Sequence, residues 1–264
     1  MAFSAEWLAL REPADRAARD AALARQAAEA AGPQPLIVDL GCGTGATRRA
    51  LASLLPAGAR WRFVDSDPQL LEAAAADARA TSDCVEVIEA DIRDLAALPL
   101  EDATLVTASA LLDLVPASWV HALAESLRVP FYAALSYNGV MRWTPDDAHD
   151  AAITDCFNRH QQGDKGLGPA LGPRAGERSA QILADAGFEV RLGESPWRLG
   201  PELAQLQREL IDGIAVAAAE VGSTEAAAWG RRRREGVETG VCEIGHLDLL
   251  ALPRRESKDT AHAR

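Results

Sequence analysis

The sequence predicts an α/β fold built on a doubly wound, mostly parallel sheet. Two observations carry this prediction. Short apolar segments alternate with helical ones from residue 36 to residue 137, which is the pattern of strand–helix–strand units. The first of them, Leu36-Ile37-Val38-Asp39-Leu40, runs directly into Gly41-Cys42-Gly43-Thr44-Gly45 and then a helix from Ala46. Strand, tight glycine turn and helix start make a nucleotide-binding arrangement: glycines let the backbone approach a ligand, and the helix start offers unpaired N–H groups. The 264 residues, 48% of them hydrophobic, suffice for one large domain or two small ones.

Residues 5–31 carry apolar positions at helical spacing, from Trp7 and Leu8 to Leu23, and end at Gly32-Pro33-Gln34-Pro35. Pro13 is expected to start a second helix, where its missing N–H costs nothing. After the glycine turn, Arg60–Asp65 reads as a second strand and Gln69–Ala80 as a helix. Asp65 stands at the carboxyl end of that strand, where doubly wound folds hold ribose hydroxyls. Asp67, followed by Pro68, fits a helix N-cap instead. Val85–Ile92 is the third strand, Ala103–Ser109 the fourth and Pro130–Tyr137 the fifth. Val190–Leu192 and Glu243–Ala251 supply two more, for seven in all. Between the last two, Pro201–Val221 and Ser223 to about Gly236 read as helices. The stretch 138–176 reads as a long polar loop, and 253–264 as a flexible polar tail.

Composition narrows the partners. A net charge of −12 and a pI near 4.9 argue against nucleic acid. Arg231-Arg232-Arg233-Arg234 is a local exception, best read as a solvated helix end. No segment is apolar enough to span a bilayer, and no secretory signal is visible at Met1–Trp7. Cys42, Cys84, Cys156 and Cys242 are too scattered for a metal site or a C-x-x-C pair, which points to reduced thiols in a cytoplasm and to no metal. A monomer or homodimer is expected.

The segment Val38-Asp39-Leu40-Gly41-Cys42-Gly43-Thr44-Gly45 resembles motif I of the class I S-adenosylmethionine (SAM)-dependent methyltransferases. Its G-x-G-x-G spacing differs from the G-x-G-x-x-G of dinucleotide enzymes, whose third glycine packs helix on strand beside a pyrophosphate. By motif the resemblance covers roughly residues 35–137. Across the whole chain it is similar to a bacterial branch of small-molecule methyltransferases, through Asp-Leu-Gly-Cys-Gly-Thr-Gly and Ser-Ala-Leu-Leu-Asp-Leu. It implies a Rossmann-like methyltransferase fold over 35–252, with loop 138–176 and a helical insertion at 200–238 capping the substrate side. Residues 1–34 become a helical lid.

The resemblance also implies site residues. Asp39 orients the glycine turn, and Gly41, Cys42, Gly43 and Gly45 pass close to the cofactor. Asp65, with Ser66 beside it, holds the ribose. Asp91 accepts from the adenine amino group, and the N–H of Ile92 meets a ring nitrogen. Ser109 and Ala110 lie near the sulfonium. The lid arginines, Arg19 among them, either form a surface salt-bridge network or supply a partner for the cofactor carboxylate, the role the resemblance implies for Arg19. Asp113 either faces the reaction centre or caps the helix beginning near Pro116.

On the substrate side, Asn158–Gly166 is rich in hydrogen-bonding side chains and reads as a recognition loop. Tyr137, Asn138, Trp143, His160 and Lys165 are the substrate-binding candidates. His160, with Asp113 and Tyr137, is a catalytic candidate, because imidazole titrates near neutrality. His246 reads as a core residue of the last strand. The expected reaction is methyl transfer from SAM to a small metabolite by in-line displacement. The alternatives are an NAD-dependent oxidoreductase of the same topology, and a non-catalytic partner subunit that keeps the fold.

Overall fold

The computed structural model describes residues 4–81 and 83–254. Two N-terminal helices, α1 (Ala5–Ala18) and α2 (Ala21–Ala30), precede the sheet. Strands β1 (Leu36–Leu40), β2 (Arg60–Asp65), β3 (Cys84–Glu89), β4 (Leu105–Ser109) and β5 (Phe131–Thr144) alternate with helices α3 (Ala46–Leu51), α4 (Pro68–Ala80) and α5 (Ala117–Ser126). Then follow α6 (Asp150–Gln161), α7 (Ala175–Asp185), β6 (Phe188–Glu194), β7 (Trp197–Leu199), α8 (Ala204–Glu220), α9 (Ala226–Glu235) and β8 (Val241–Pro253).

The sheet order is β3-β2-β1-β4-β5-β8-β6, and β7 also pairs with β8. β1 to β5 are mutually parallel, and β8 enters antiparallel between β5 and β6. β1 is buried along its whole length, as a central parallel strand must be when helices cover both faces. One face packs Leu23, Ala27, Leu51, Leu71 and Ala74 from α2, α3 and α4. The other packs Trp119, Leu123, Ile182 and Leu183 from α5 and α7. Asp67 caps α4 through Gln69 N at 2.8 Å, with Pro68 in the first turn. The order of the strands brings the carboxyl ends of β1, β2 and β4 to one rim, where such sheets bind ligands.

Three expectations change. Pro13 lies inside α1, and the break falls at Arg19. The helix survives the missing N–H because Asp15, just beyond it, is anchored by Arg11 and by Trp197 Nε1 at 2.9 Å. The sheet has eight strands, because Trp197–Leu199 adds to β8. The stretch 138–161 is not a loop: β5 continues to Thr144 against β8, and α6 follows. The side chains of α6 explain the misreading. Ile153 and Cys156 bury one face, while the polar Asn158–Gln161 run dominates its sequence. The expectation for the tail 255–264 lies outside the described residues.

Beyond Tyr137, β5 and β8 leave the parallel sheet as a ribbon extended by β7. Register shifts at Ala133/Ser136 and Tyr137/Met141 bend it. The ribbon, α6, α8 and α9 enclose a separate apolar cluster containing Tyr137, Trp143, Trp197, Ile211, Trp229 and Ile244.

Candidate cofactor and acceptor site

The glycine turn closes the carboxyl end of β1. Gly41, Gly43 and Gly45 have φ of 63°, 53° and 83°, left-handed values that strain any residue with a Cβ. The turn is braced by Asp65: Gly43 N donates to its Oδ2 at 2.9 Å and Asp67 N to its Oδ1 at 3.0 Å. This corrects the expected role of Asp39, whose side chain points between the strands to β4. Ser66 is exposed, and the Cys42 thiol is buried and pushed up by burial and by Asp39 and Asp65. Cys42 therefore offers the site its backbone rather than a reactive sulfur.

Asp39 is fully buried and accepts from Thr107 Oγ1 at 2.7 Å through Oδ1. Burial raises its carboxyl to about 6, against the opposing pull of Thr107 and of the Arg19 charge. Its Oδ2 is buried with no partner among the described residues. Arg19 comes from the end of α1 and donates through Nη2 to Ser109 Oγ at 2.7 Å. Thr47 Oγ1 lies 3.2 Å from the same Ser109 hydroxyl. Arg19 Nη1 is also buried and unpartnered among the described residues. The glycine turn is thus flanked by a buried donor and a buried acceptor of opposite charge, each without a partner among the described residues. Ala110 holds the strand exit with φ 49° and donates its N–H to Ala134 O at 2.9 Å.

α1 sits directly on this turn. A Cβ on Gly43 would stand 3.1 Å from Leu8. Glu12 takes Arg49 at 2.6 and 2.7 Å, and Arg49 Nη1 donates to Thr44 O at 2.6 Å.

Asp91 lies two residues beyond β3, half-exposed, with its carboxylate held by Arg93 Nε at 2.7 Å and by Arg93 N at 2.9 Å. Those bonds keep it below the usual carboxylate range. The carbonyl of Ile92 is taken by Trp119 Nε1 at 2.7 Å. An adenine contact at Asp91 therefore requires Arg93 to share or yield the carboxylate.

On the acceptor side, Asp113 occupies a single 3₁₀ turn after β4. It does not cap α5, whose N-cap is Pro116 with no side-chain bond. Its Oδ1 is buried and unpartnered among the described residues, and burial lifts the carboxyl to about 6 while Arg11, the Tyr137 N–H and Lys165 pull it down. Tyr137 is buried and donates its hydroxyl to Asn158 Oδ1 at 2.8 Å. Burial and the charge of Asp113 push its phenol up, so it holds its proton at neutral pH.

The remaining candidates lie elsewhere. Asn138 turns its Oδ1 back to Val140 N at 3.2 Å, fixing the strand bend. Trp143, near the end of β5, packs under the helical cap, edge-on to Trp229 with centroids 5.4 Å apart. It lines a cavity of about 190 Å³ with Arg232 and Arg233 at the far end of the ribbon. His160 is on α6, not in a loop, and both its ring nitrogens are engaged: Nε2 with Glu220 at 2.8 Å and Nδ1 near Lys165 Nζ at 3.4 Å. These contacts fix the His160 ring against Glu220 and Lys165. Arg232 and Arg233 pair with Asp147 and Asp150, which accounts for the arginine run.

The sequence reading did not bring His246 and Trp197 to the site. The two rings lie 5.0 Å apart beside Tyr137, covered by Arg11 of α1.

The bracing role of Asp65 has a measurable consequence. Asp65→Ala loosens the turn and, on the expectation that Asp65 also accepts from a ribose, SAM binding weakens by about 1.5–3 kcal/mol, the cost of bonds to a charged group. Calorimetry on the folded variant checks this, and unchanged affinity removes Asp65 from the site.

Residues 37–130 match the family described as Methyltransferase domain. No curated protein matches the sequence. Among solved structures, a Bacillus halodurans C-125 protein provisionally named a methyltransferase is 17% identical, with a TM-score of 0.55 over 89% of this chain and 99% of its own. The YcgJ protein of Bacillus subtilis is 14% identical, with a TM-score of 0.55 over 89% and 98%. Geranyl diphosphate C-methyltransferase from Streptomyces coelicolor A3(2) is 15% identical over 88% and 80%, with a TM-score of 0.47. No helix among the described residues is long and apolar enough to cross a membrane. The match falls on the segment that carries β1 to β4 and the glycine turn, and in this segment the chain is similar to methyltransferase domains.

Proposed function

We propose that the protein transfers the methyl group of SAM to a small-molecule metabolite, holding the methionine end of the donor between Arg19 and Asp39. The observation that carries this reading is the pair of buried, unsatisfied atoms Arg19 Nη1 and Asp39 Oδ2 beside the glycine turn. A free α-amino acid end supplies the missing partner of each: a carboxylate for the guanidinium and an ammonium for the carboxylate. NAD has no such group.

When bound, SAM supplies a methyl group on a positively charged sulfur that is already activated for displacement. The chain's residues contribute alignment and the exclusion of water. Gly41, Gly43 and Gly45 permit close backbone approach, Asp65 accepts from the ribose hydroxyls, and Asp91 with the Ile92 N–H serves the adenine. Ser109 orients Arg19, and the Ala110 exit faces the acceptor side. α1 covers the turn and keeps solvent out.

The state of Asp39 makes binding pH-dependent. Its carboxyl, near 6 in the free protein, holds a proton at pH 5 and cannot then pair with an ammonium as an anion. SAM affinity rises between pH 5 and pH 7 and levels off above. The stability of the free protein moves oppositely: the folded state keeps the proton between about 4 and 6 while the unfolded chain loses it, so stability falls as pH climbs through that window. Calorimetry with SAM at several pH values, and with NAD, tests the reading. Binding of SAM that strengthens with pH in the native protein but not in Asp39→Asn supports it. Binding of NAD in place of SAM, or of neither, refutes it.

A further inference from the structure

Two more buried polar atoms on the acceptor side have no partner among the described residues, and the proposed cofactor site does not use them. One is Asp113 Oδ1 and the other His246 Nδ1. They flank Tyr137. The Asp113 carboxyl feels the Tyr137 N–H, and its charge also acts on the phenol. His246 is the cross-strand partner of Tyr137 in the β5–β8 register, with ring centroids 6.3 Å apart. Trp197 closes the far side of the imidazole at 5.0 Å. The guanidinium of Arg11, bidentate to Asp15 at 2.9 and 3.1 Å and lying 4.9 Å above the Trp197 ring, acts on Asp113 and His246 alike. Burial and Arg11 keep the imidazole neutral, near 3.

We propose that Asp113 and His246 form the acceptor subsite and that it takes a neutral aromatic hydroxyl compound, a phenol. This rests on the reading of Arg19 and Asp39 as the SAM slot. The rings of Tyr137, Trp197 and His246 offer flat apolar surface for the body of the acceptor. Asp113 receives its hydroxyl, and His246 Nδ1 meets a second polar substituent. Charge selects oxygen over a protonated amine. Arg11 and Lys165 both act on Asp113, so they repel an ammonium and stabilise an oxygen that is gaining negative charge. In the step itself the O–H proton passes to the Asp113 carboxylate. The freed oxygen pair forms the O–CH₃ bond as the carbon–sulfur bond breaks, and that bond's electrons stay on the now neutral sulfur. Asp113, poised near neutrality by its burial, then returns the proton to water.

Binding to protein saturated with S-adenosylhomocysteine, the demethylated product, tests the subsite independently of turnover. The probes are 4-hydroxybenzyl alcohol, 4-(aminomethyl)benzyl alcohol and benzyl alcohol, titrated calorimetrically; the shared CH₂OH serves as the second polar substituent. The expected result is binding of the phenol, 4-hydroxybenzyl alcohol, at least tenfold tighter than either of the others. Asp113→Asn and His246→Phe each reduce that affinity at least tenfold and leave S-adenosylhomocysteine affinity, which also reports folding, within twofold. Equal or tighter binding of the amine, no binding of the phenol, or unchanged phenol affinity in both variants overturns the subsite. Failure of S-adenosylhomocysteine to bind the native protein overturns the cofactor reading instead, and the subsite with it.

Discussion

Arg19→Met lowers the affinity for SAM by about 10- to 100-fold, because losing a bond between a guanidinium and a carboxylate costs about 1.5–3 kcal/mol. The effect falls on the amino-acid end of the ligand alone. Adenosine, which lacks that end, binds native and variant protein equally. Arg19→Lys recovers part of the loss, since it restores charge without the planar fork that reaches Ser109 and the ligand together. Calorimetric titration with SAM and adenosine measures both, and equal losses for the two ligands contradict the assignment. Folding is a small concern, because methionine replaces the buried stem and leaves α1 anchored through Asp15 and Glu12.

Asp248→Ala produces the largest loss of stability, about 3–5 kcal/mol. Asp248 is fully buried on β8 and gathers three donors: Tyr132 Oη at 2.9 Å, Leu135 N at 2.8 Å and Asp20 N at 3.0 Å. Removing the carboxylate strands all three, two of them deep in the protein, at about 1–3 kcal/mol for each unsatisfied group. Leu135 holds φ 59°, a left-handed value that is costly for a branched side chain, so losing its N–H partner releases a strained strand. Asp20 links the same carboxylate to the junction of α1 and α2 and thereby to the cover over the glycine turn. For a chain of this size about 1 kcal/mol shifts the midpoint by about 2–4 °C, so the thermal transition falls by roughly 10 °C. Tyr132→Phe removes one bond and costs about 1 kcal/mol. Chemical denaturation of the three proteins ranks them, and a near-native Asp248→Ala denies the carboxylate this role.

What the sequence revealed follows from how far apart the cooperating residues lie. The glycine turn, Asp65 and the Asp67-Pro68 cap are local: each is written within a few residues, and each reads from spacing and side-chain chemistry. Even here the division of labour between Asp39 and Asp65 was hidden. Both end adjacent strands, and only the register shows that Asp65 reaches back to Gly43 while Asp39 turns to Thr107. Arg19 was legible as a cation on a leading helix, but not its anchoring by Ser109, which is 90 residues away. The acceptor side was read least well. Helix α6 hid behind its polar run, so His160 was read as a loop residue, while Lys165 does lie in the loop that follows the helix. The Asp113, Tyr137, Trp197 and His246 grouping depends on an antiparallel strand that returns after two inserted helices, and no local periodicity announces such a return. His246 read as a core residue because its strand is apolar. Its burial fits that reading, and its unsatisfied nitrogen sets it apart from an ordinary core histidine.

The central claim is that Arg19 and Asp39 complete each other only through a bound amino-acid zwitterion. A crystal structure of the protein with S-adenosylhomocysteine tests it most directly. The account predicts the ligand carboxylate on Arg19 Nη1 and its ammonium on Asp39 Oδ2, with Asp65 at the ribose hydroxyls. A ligand seated elsewhere, or one whose amino-acid end leaves both of those atoms without a partner, contradicts it.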